Sequence, residues 1–198
     1  FLARTSEGLA MVFVAYVAIA ALLWPWHRSW GTTQADWEMA LPGDPPVRLP
    51  AAELMHAIDI DAPDWVVWAW LVQIGQDRAG FYSYERLERL FGADIHNASV
   101  INPAWQHRAV GDRIPSTQEG YARGLFGARP GWRVTQVVPC RALVLDTWGS
   151  FVILPNGPDR SRLVVRSRIG GPDAPAAGAA VSFLAFEIPH FIMEREML

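Results

Sequence analysis

The chain contains no lysine: all 17 of its cationic side chains are arginines. Schiff-base chemistry and every phosphate-binding P-loop need a lysine ammonium, so both classes are excluded. A single cysteine, Cys140, excludes an internal disulfide and a cysteine-based zinc cage. It stands among strand-like residues, Val137-Val138-Pro139-Cys140-Arg141, and reads as a small buried hydrophobe rather than a nucleophile. The net charge is only −3 and no basic run occurs, so nucleic acid is not an expected partner. No serine stands in a nucleophile-elbow context, the glycines form no dinucleotide fingerprint, and no repeat period is visible.

What remains is a chain of 198 residues, 51% hydrophobic and 19% charged, long enough for one domain with a real core and too apolar to be disordered. From Leu9 to Trp26 it carries no charged residue. As a helix this run spans about 27 Å, close to the roughly 30 Å of a bilayer hydrocarbon core. Trp24, Trp26 and Trp30 follow at its C-terminal end with His27 and Arg28, the composition of a membrane–water boundary. Ala18-Ile19-Ala20 would fit a signal-peptide cleavage site, and a buried core helix is the other competing reading. The aromatic flank and the absence of any polar face favour a membrane anchor, with residues 9–26 in the bilayer. Arg4 on one side and Arg28 and Arg48 on the other do not orient it.

The expected organisation is an anchor over residues 1–28, a proline-rich linker over 29–52 and a globular domain over 53–198. Pro42, Pro45, Pro46 and Pro50 mark that segment as a linker or an extended wrapping segment rather than a helix. Met55 to Ile60 alternates with period two, as a half-buried strand does. Asp61-Ala62-Pro63-Asp64 then supplies a helix start, and the helix is predicted to run from Trp65 to Ile74 and stop at Gly75. A second helix is predicted from Ser83 to Phe91. Trp132–Val138, Ala142–Asp146, Ser150–Leu154 and Arg162–Arg168 read as an antiparallel meander. Residues 170–180 read as a loop, and a terminal helix begins near Pro189. This order gives an α+β fold, one antiparallel sheet wrapped around a long C-terminal helix and preceded by one transmembrane helix.

That order resembles the START-like or SRPBCC superfamily, the helix-grip fold, in its polyketide-cyclase-like branch. The resemblance rests on Ile58 to Pro63 followed by Trp65-Val66-Val67-Trp68, on Leu71 to Arg78, on Gly80 to Tyr84, and on Asp94 to Asn97. Val110-Gly111-Asp112 and the segment from His190 to Arg195 with Met197-Leu198 extend it, over about residues 28–198. It implies a cavity between sheet and terminal helix for a hydrophobic ligand, and no particular chemistry, because a fold does not assign a function.

The densest polar cluster, from Gln73 to Asn97, has two readings. Gln73, Gln76, Tyr82, Tyr84, His96 and Asn97, with Trp68 and Trp148, would form a ligand site with one polar end, and Trp65, Trp70, Trp105 and Trp132 could line the same pocket for a flat or long apolar ligand. Alternatively, the polar side chains satisfy backbone groups where the first helix turns into the second, and the tryptophans are core. His96, flanked by Asp94 and Asn97, is the candidate for proton transfer if the protein is an enzyme of cyclase or hydratase type, provided that it faces the cavity. His56, His107 and His190 have no paired spacing, so no metal is expected, and no cofactor. The functional expectations are therefore a membrane-anchored module binding a hydrophobic molecule or lipid, a non-catalytic accessory subunit of a larger membrane complex, or such an enzyme. The expected location is a membrane crossed once, a bacterial inner membrane, with the side of the domain open.

Overall fold

Alternating apolar and polar side chains around Met55–Ile60 become the first strand of a six-stranded sheet. The structure, a computed structural model, describes residues 2–44, 52–125, 127–169 and 188–198. In chain order the elements are α1 (Leu2–His27), α2 (Gln34–Glu38), β1 (Ala52–Ile60), α3 (Asp64–Leu71), α4 (Glu85–Leu90), β2 (Arg113–Pro115), β3 (Gly131–Val138), β4 (Ala142–Leu145), β5 (Gly149–Pro155), β6 (Ser161–Ile169) and α5 (Ile188–Met197). The sheet order is β1-β6-β5-β4-β3-β2, and every pairing is antiparallel. The fold is α+β. The loop expected over 170–180 lies outside the described residues.

Both faces of the sheet are covered. On one face, Val67 and Leu71 of α3 and Phe81 pack with Trp148, Phe151 and Ile153 in the larger core. On the other, Met55, Ala57, Val152 and Val164 meet Leu41, with Trp37 and Met39 packed against them. Residues 29–44, part of the segment read from the sequence as a linker or a wrapping segment, form a second layer on the sheet.

That layer is held by two arginines that alternate with Val164 on β6. Arg162 donates to Asp36 (2.8 Å), Asp59 (3.1 Å) and the Gly31 carbonyl (2.7 Å). Arg166, 2% exposed, donates to Asp44 (2.6 Å) and to the carbonyls of Asp36 (3.0 Å) and Met39 (3.1 Å). Asp36 also closes a capping box with Thr33 at the start of α2. Burial alone would raise the Asp36 carboxyl, but the hydrogen bonds from Arg162 and Thr33 outweigh it and hold it below its ordinary value.

The free edge of β1 is covered by the chain leaving α1. The amides of Met55 and Ala57 donate to the carbonyls of Arg28 (2.8 Å) and Trp30 (3.1 Å). Gly31 follows at φ +72°, and a Cβ there would collide with the Ala57 carbonyl oxygen, so the approach requires glycine.

Three sequence expectations are not met among the described residues. Among the described residues no helix is long and apolar enough to cross a membrane, so the transmembrane helix is not a supported part of the fold. The run from Leu9 to Trp26 lies within α1, whose end is docked on the domain. His27 is buried, and Trp26 and Trp30 pack edge-on against Phe191 of α5 at 5.4 and 6.2 Å. Of the C-terminal helix the structure describes Ile188–Met197, which starts beside the expected Pro189, and no long helix lies within the sheet among the described residues. Helix α3 stops at Leu71 rather than Ile74, because the backbone turns at Gly75 (φ +134°) to pair with Gly80 and because Arg108 takes the Val72 and Ile74 carbonyls. Cys140, read as a small buried hydrophobe, is a half-buried turn residue at φ +58° between β3 and β4.

Replacing Arg166 with Met should cost about 3–5 kcal/mol in chemical denaturation, because the Asp44 carboxylate and two carbonyls lose their donor. The Asp36 contribution has a definite pH sign. A carboxyl with a lowered folded value adds stability above its unfolded value, near 3.8, and that stability is lost as the pH falls through the folded value. The stability gap between the native chain and Asp36→Asn should therefore be full at neutral pH and shrink in strong acid; a gap independent of pH would refute the ion-pair account.

Candidate functional site

The end of β1, the inner face of α3 and the end of α5 line a half-open cavity of about 350 Å³. Val66, Val67, Trp70 and Leu71 recur at helical spacing on α3 and turn one face toward it. Ile60 and Leu163 come from the sheet, and Met197 and Leu198 from the C-terminal end. Tyr82 brings the one hydroxyl of the lining. Its hydroxyl is already engaged, donating to the Trp70 carbonyl (3.1 Å) and accepting from Gln73 (2.8 Å). Burial pushes that hydroxyl up from its ordinary pKa. The cavity therefore offers apolar contact and no charge.

Gln73, fully buried, is the hub beneath it. Its amide nitrogen donates to Tyr82 and to the Val100 carbonyl (3.2 Å); its oxygen accepts from the Asn102 amide (3.0 Å) and from Gln106 (3.2 Å). Gln76 donates to the Asp94 carbonyl (2.8 Å), and Asn97 bridges the Tyr82 amide and the Ser83 carbonyl. These residues tie the long connection after α3 to itself. Tyr82 sits at φ +57°, a conformation that costs about 1–3 kcal/mol and is fixed here by the Asn97 acceptor.

Of the site residues read from the sequence, Tyr82 and Trp70 line the cavity. Trp68 lies in the larger core; Trp148 stacks with Trp132 (4.2 Å), Phe151 (5.0 Å) and Phe81 (5.9 Å) there. Tyr84 is exposed, with its hydroxyl on Glu196 of α5. His96 and Asp94 do meet, Nε2 to Oδ1 at 3.2 Å, and Glu85 lies 3.4 Å from Nδ1. The His96 side chain is 62% exposed and is not part of the cavity wall, so the condition for its role in proton transfer is not met. The Asn97 amide holds the Glu85 carboxyl below its ordinary range, with help from His96. Among the described residues no group of three or more His, Cys, Asp or Glu is placed to hold a metal ion. The residues that sequence reasoning missed are apolar: Val66, Val67 and Leu71, whose spacing on α3 was the available signal, and Ile74 beyond its end.

A second feature fixes α5 and hence the Met197-Leu198 wall. Within the domain, His56 Nε2 lies 2.7 Å from the His27 carbonyl and Nδ1 lies 3.1 Å from the Glu194 carboxylate. Both ring nitrogens thus lie beside oxygen atoms, one from α1 and one from α5. Phe191 covers the ring, tilted over His56 at 5.1 Å. Glu194→Ala should loosen α5 at a cost of about 1–3 kcal/mol. Amide exchange should speed up in residues 188–198 while β5 and β6 stay protected; unchanged exchange in α5 would show that other contacts hold the wall.

No family model and no curated protein matches the chain. Among solved structures it is similar to an NMR structure of a protein from Arthrobacter aurescens, at 15% identity and a TM-score of 0.39, over 74% of this chain and 81% of that one.

Proposed function

We propose that this chain is a non-enzymatic module that holds an uncharged apolar molecule between the sheet, α3 and α5, close to a lipid bilayer that α1 contacts. The cavity carries the reading. Its volume lies within the range of small-molecule sites, and its walls are aliphatic and aromatic with one hydroxyl already satisfied. The order strand, two helices, antiparallel strands, helix supports the START-like resemblance, in which such a cavity receives a hydrophobic ligand. Contact with a bilayer is supported by α1, where Met11 is 69% and Leu22 79% exposed and Phe13, Val14 and Ile19 are exposed as well. Apolar side chains exposed around much of a helix need lipid or protein to cover them.

The same exposed side chains support a second reading, an accessory subunit whose α1 packs on helices of a membrane complex. Copurification of a fixed set of larger proteins with an empty cavity would favour it.

An environment-sensitive naphthalene dye tests the principal reading. It should bind the full chain in mild detergent with one site per chain. Val66→Trp, which places an indole in the cavity from an already helical position, should weaken that binding about tenfold or more without lowering thermal stability. Equal binding by the two proteins would place the dye elsewhere and remove the basis for the proposal.

A further inference from the structure

At the end of α1 a groove of about 320 Å³ is lined by Trp24, Pro25, Arg28, Ser29 and Trp37. We infer that this groove binds the phosphate of an anionic lipid headgroup through the Arg28 guanidinium; the inference rests on the bilayer contact proposed above.

Charge accounting singles out Arg28. The arginines of the layer beside it are matched: Arg162 by Asp36 and Asp59, Arg166 by Asp44 and Glu53. Among the described residues Arg28 has no ion pair and no side-chain hydrogen bond. Its guanidinium carbon lies 5.3 Å from the centre of the Trp37 ring, a cation–π contact that places the cation without neutralising it. That leaves its N–H groups for an anion, and the planar fork suits a phosphate.

The surroundings remove competing acceptors and donors. Ser29 Oγ donates to the Pro25 carbonyl (2.9 Å), the Arg28 amide to the Trp24 carbonyl (3.0 Å), and the Trp37 indole to Thr32 (3.0 Å). The ring face that a quaternary ammonium would use on Trp37 is already taken by Arg28. The groove thus favours an anionic headgroup over a choline. Its source is the bilayer rather than free phosphate, because it opens directly after the helix whose apolar sides are exposed from Met11 to Trp26. A net charge of −3 opposes general attraction to an anionic surface, so a preference for such lipid would have to come from a local site.

Vesicle flotation of the full chain tests this, using phosphatidylcholine alone and phosphatidylcholine mixed with phosphatidylglycerol. The native chain should float with both and favour the mixed vesicles about fivefold, one arginine's contribution near an anionic surface. Arg28→Gln should float with both and lose that preference. Equal flotation of the native chain with the two compositions, or an undiminished preference in Arg28→Gln, overturns the headgroup site and leaves the bilayer contact standing. Absence of flotation with either vesicle overturns both. Release from mixed vesicles by millimolar glycerol phosphate would assign the groove to a soluble phosphate and overturn the lipid source.

Discussion

Two guanidinium groups on one strand hold the second layer of this fold in place. Arg162 and Arg166 point away from the larger core and fix the segment from Gly31 to Asp44 against the outer face of the sheet. The aliphatic cluster of Met55, Ala57, Val152 and Val164 is closed by that segment. Asp36 serves twice, as capping residue of α2 and as partner of Arg162, so a five-residue helix too short to persist alone is made rigid from outside. The chain's exclusive use of arginine suits this work, since a buried lysine offers no planar fork for several acceptors at once.

On the other face the cavity exists because α3 is short. Had the helix continued to Ile74, Gln73 and Tyr82 would not meet, and the connection from 75 to 106 would lose the hub that gathers Val100, Asn102 and Gln106. The polar residues of this region hold up the wall of an apolar site. They do not form a polar site of their own.

Much of the sheet was legible in the sequence, because alternation and turn residues are local signals. The helix start at Asp61 to Asp64 was visible for the same reason, though the structure begins the helix at Asp64 with Pro63 as its cap. What was not legible depended on distant partners. Helix α2 owes its place to arginines more than a hundred residues away, and β2 is three residues long and takes its strand form from β3. The candidate site was sought among polar residues and tryptophans, and the lining proved to be largely the aliphatic face of a helix that looked apolar all round. Asp94 and His96 were rightly placed together, but no sequence signal told on which side of the wall they stood.

The pairing of Arg28 and Trp30 with the edge of β1 has a mechanical meaning. Residues 28–30 follow α1 without a spacer, and they are bonded to the first strand of the sheet as soon as the helix ends. Phe191 and Glu194 of α5 grip the same junction through Trp26, Trp30 and His56. A helix joined in this way acts as a handle, not a tether. Whatever medium or partner sets the tilt of α1 also sets the heading of the cavity, and a torque on the helix reaches the Met197-Leu198 wall through three side chains.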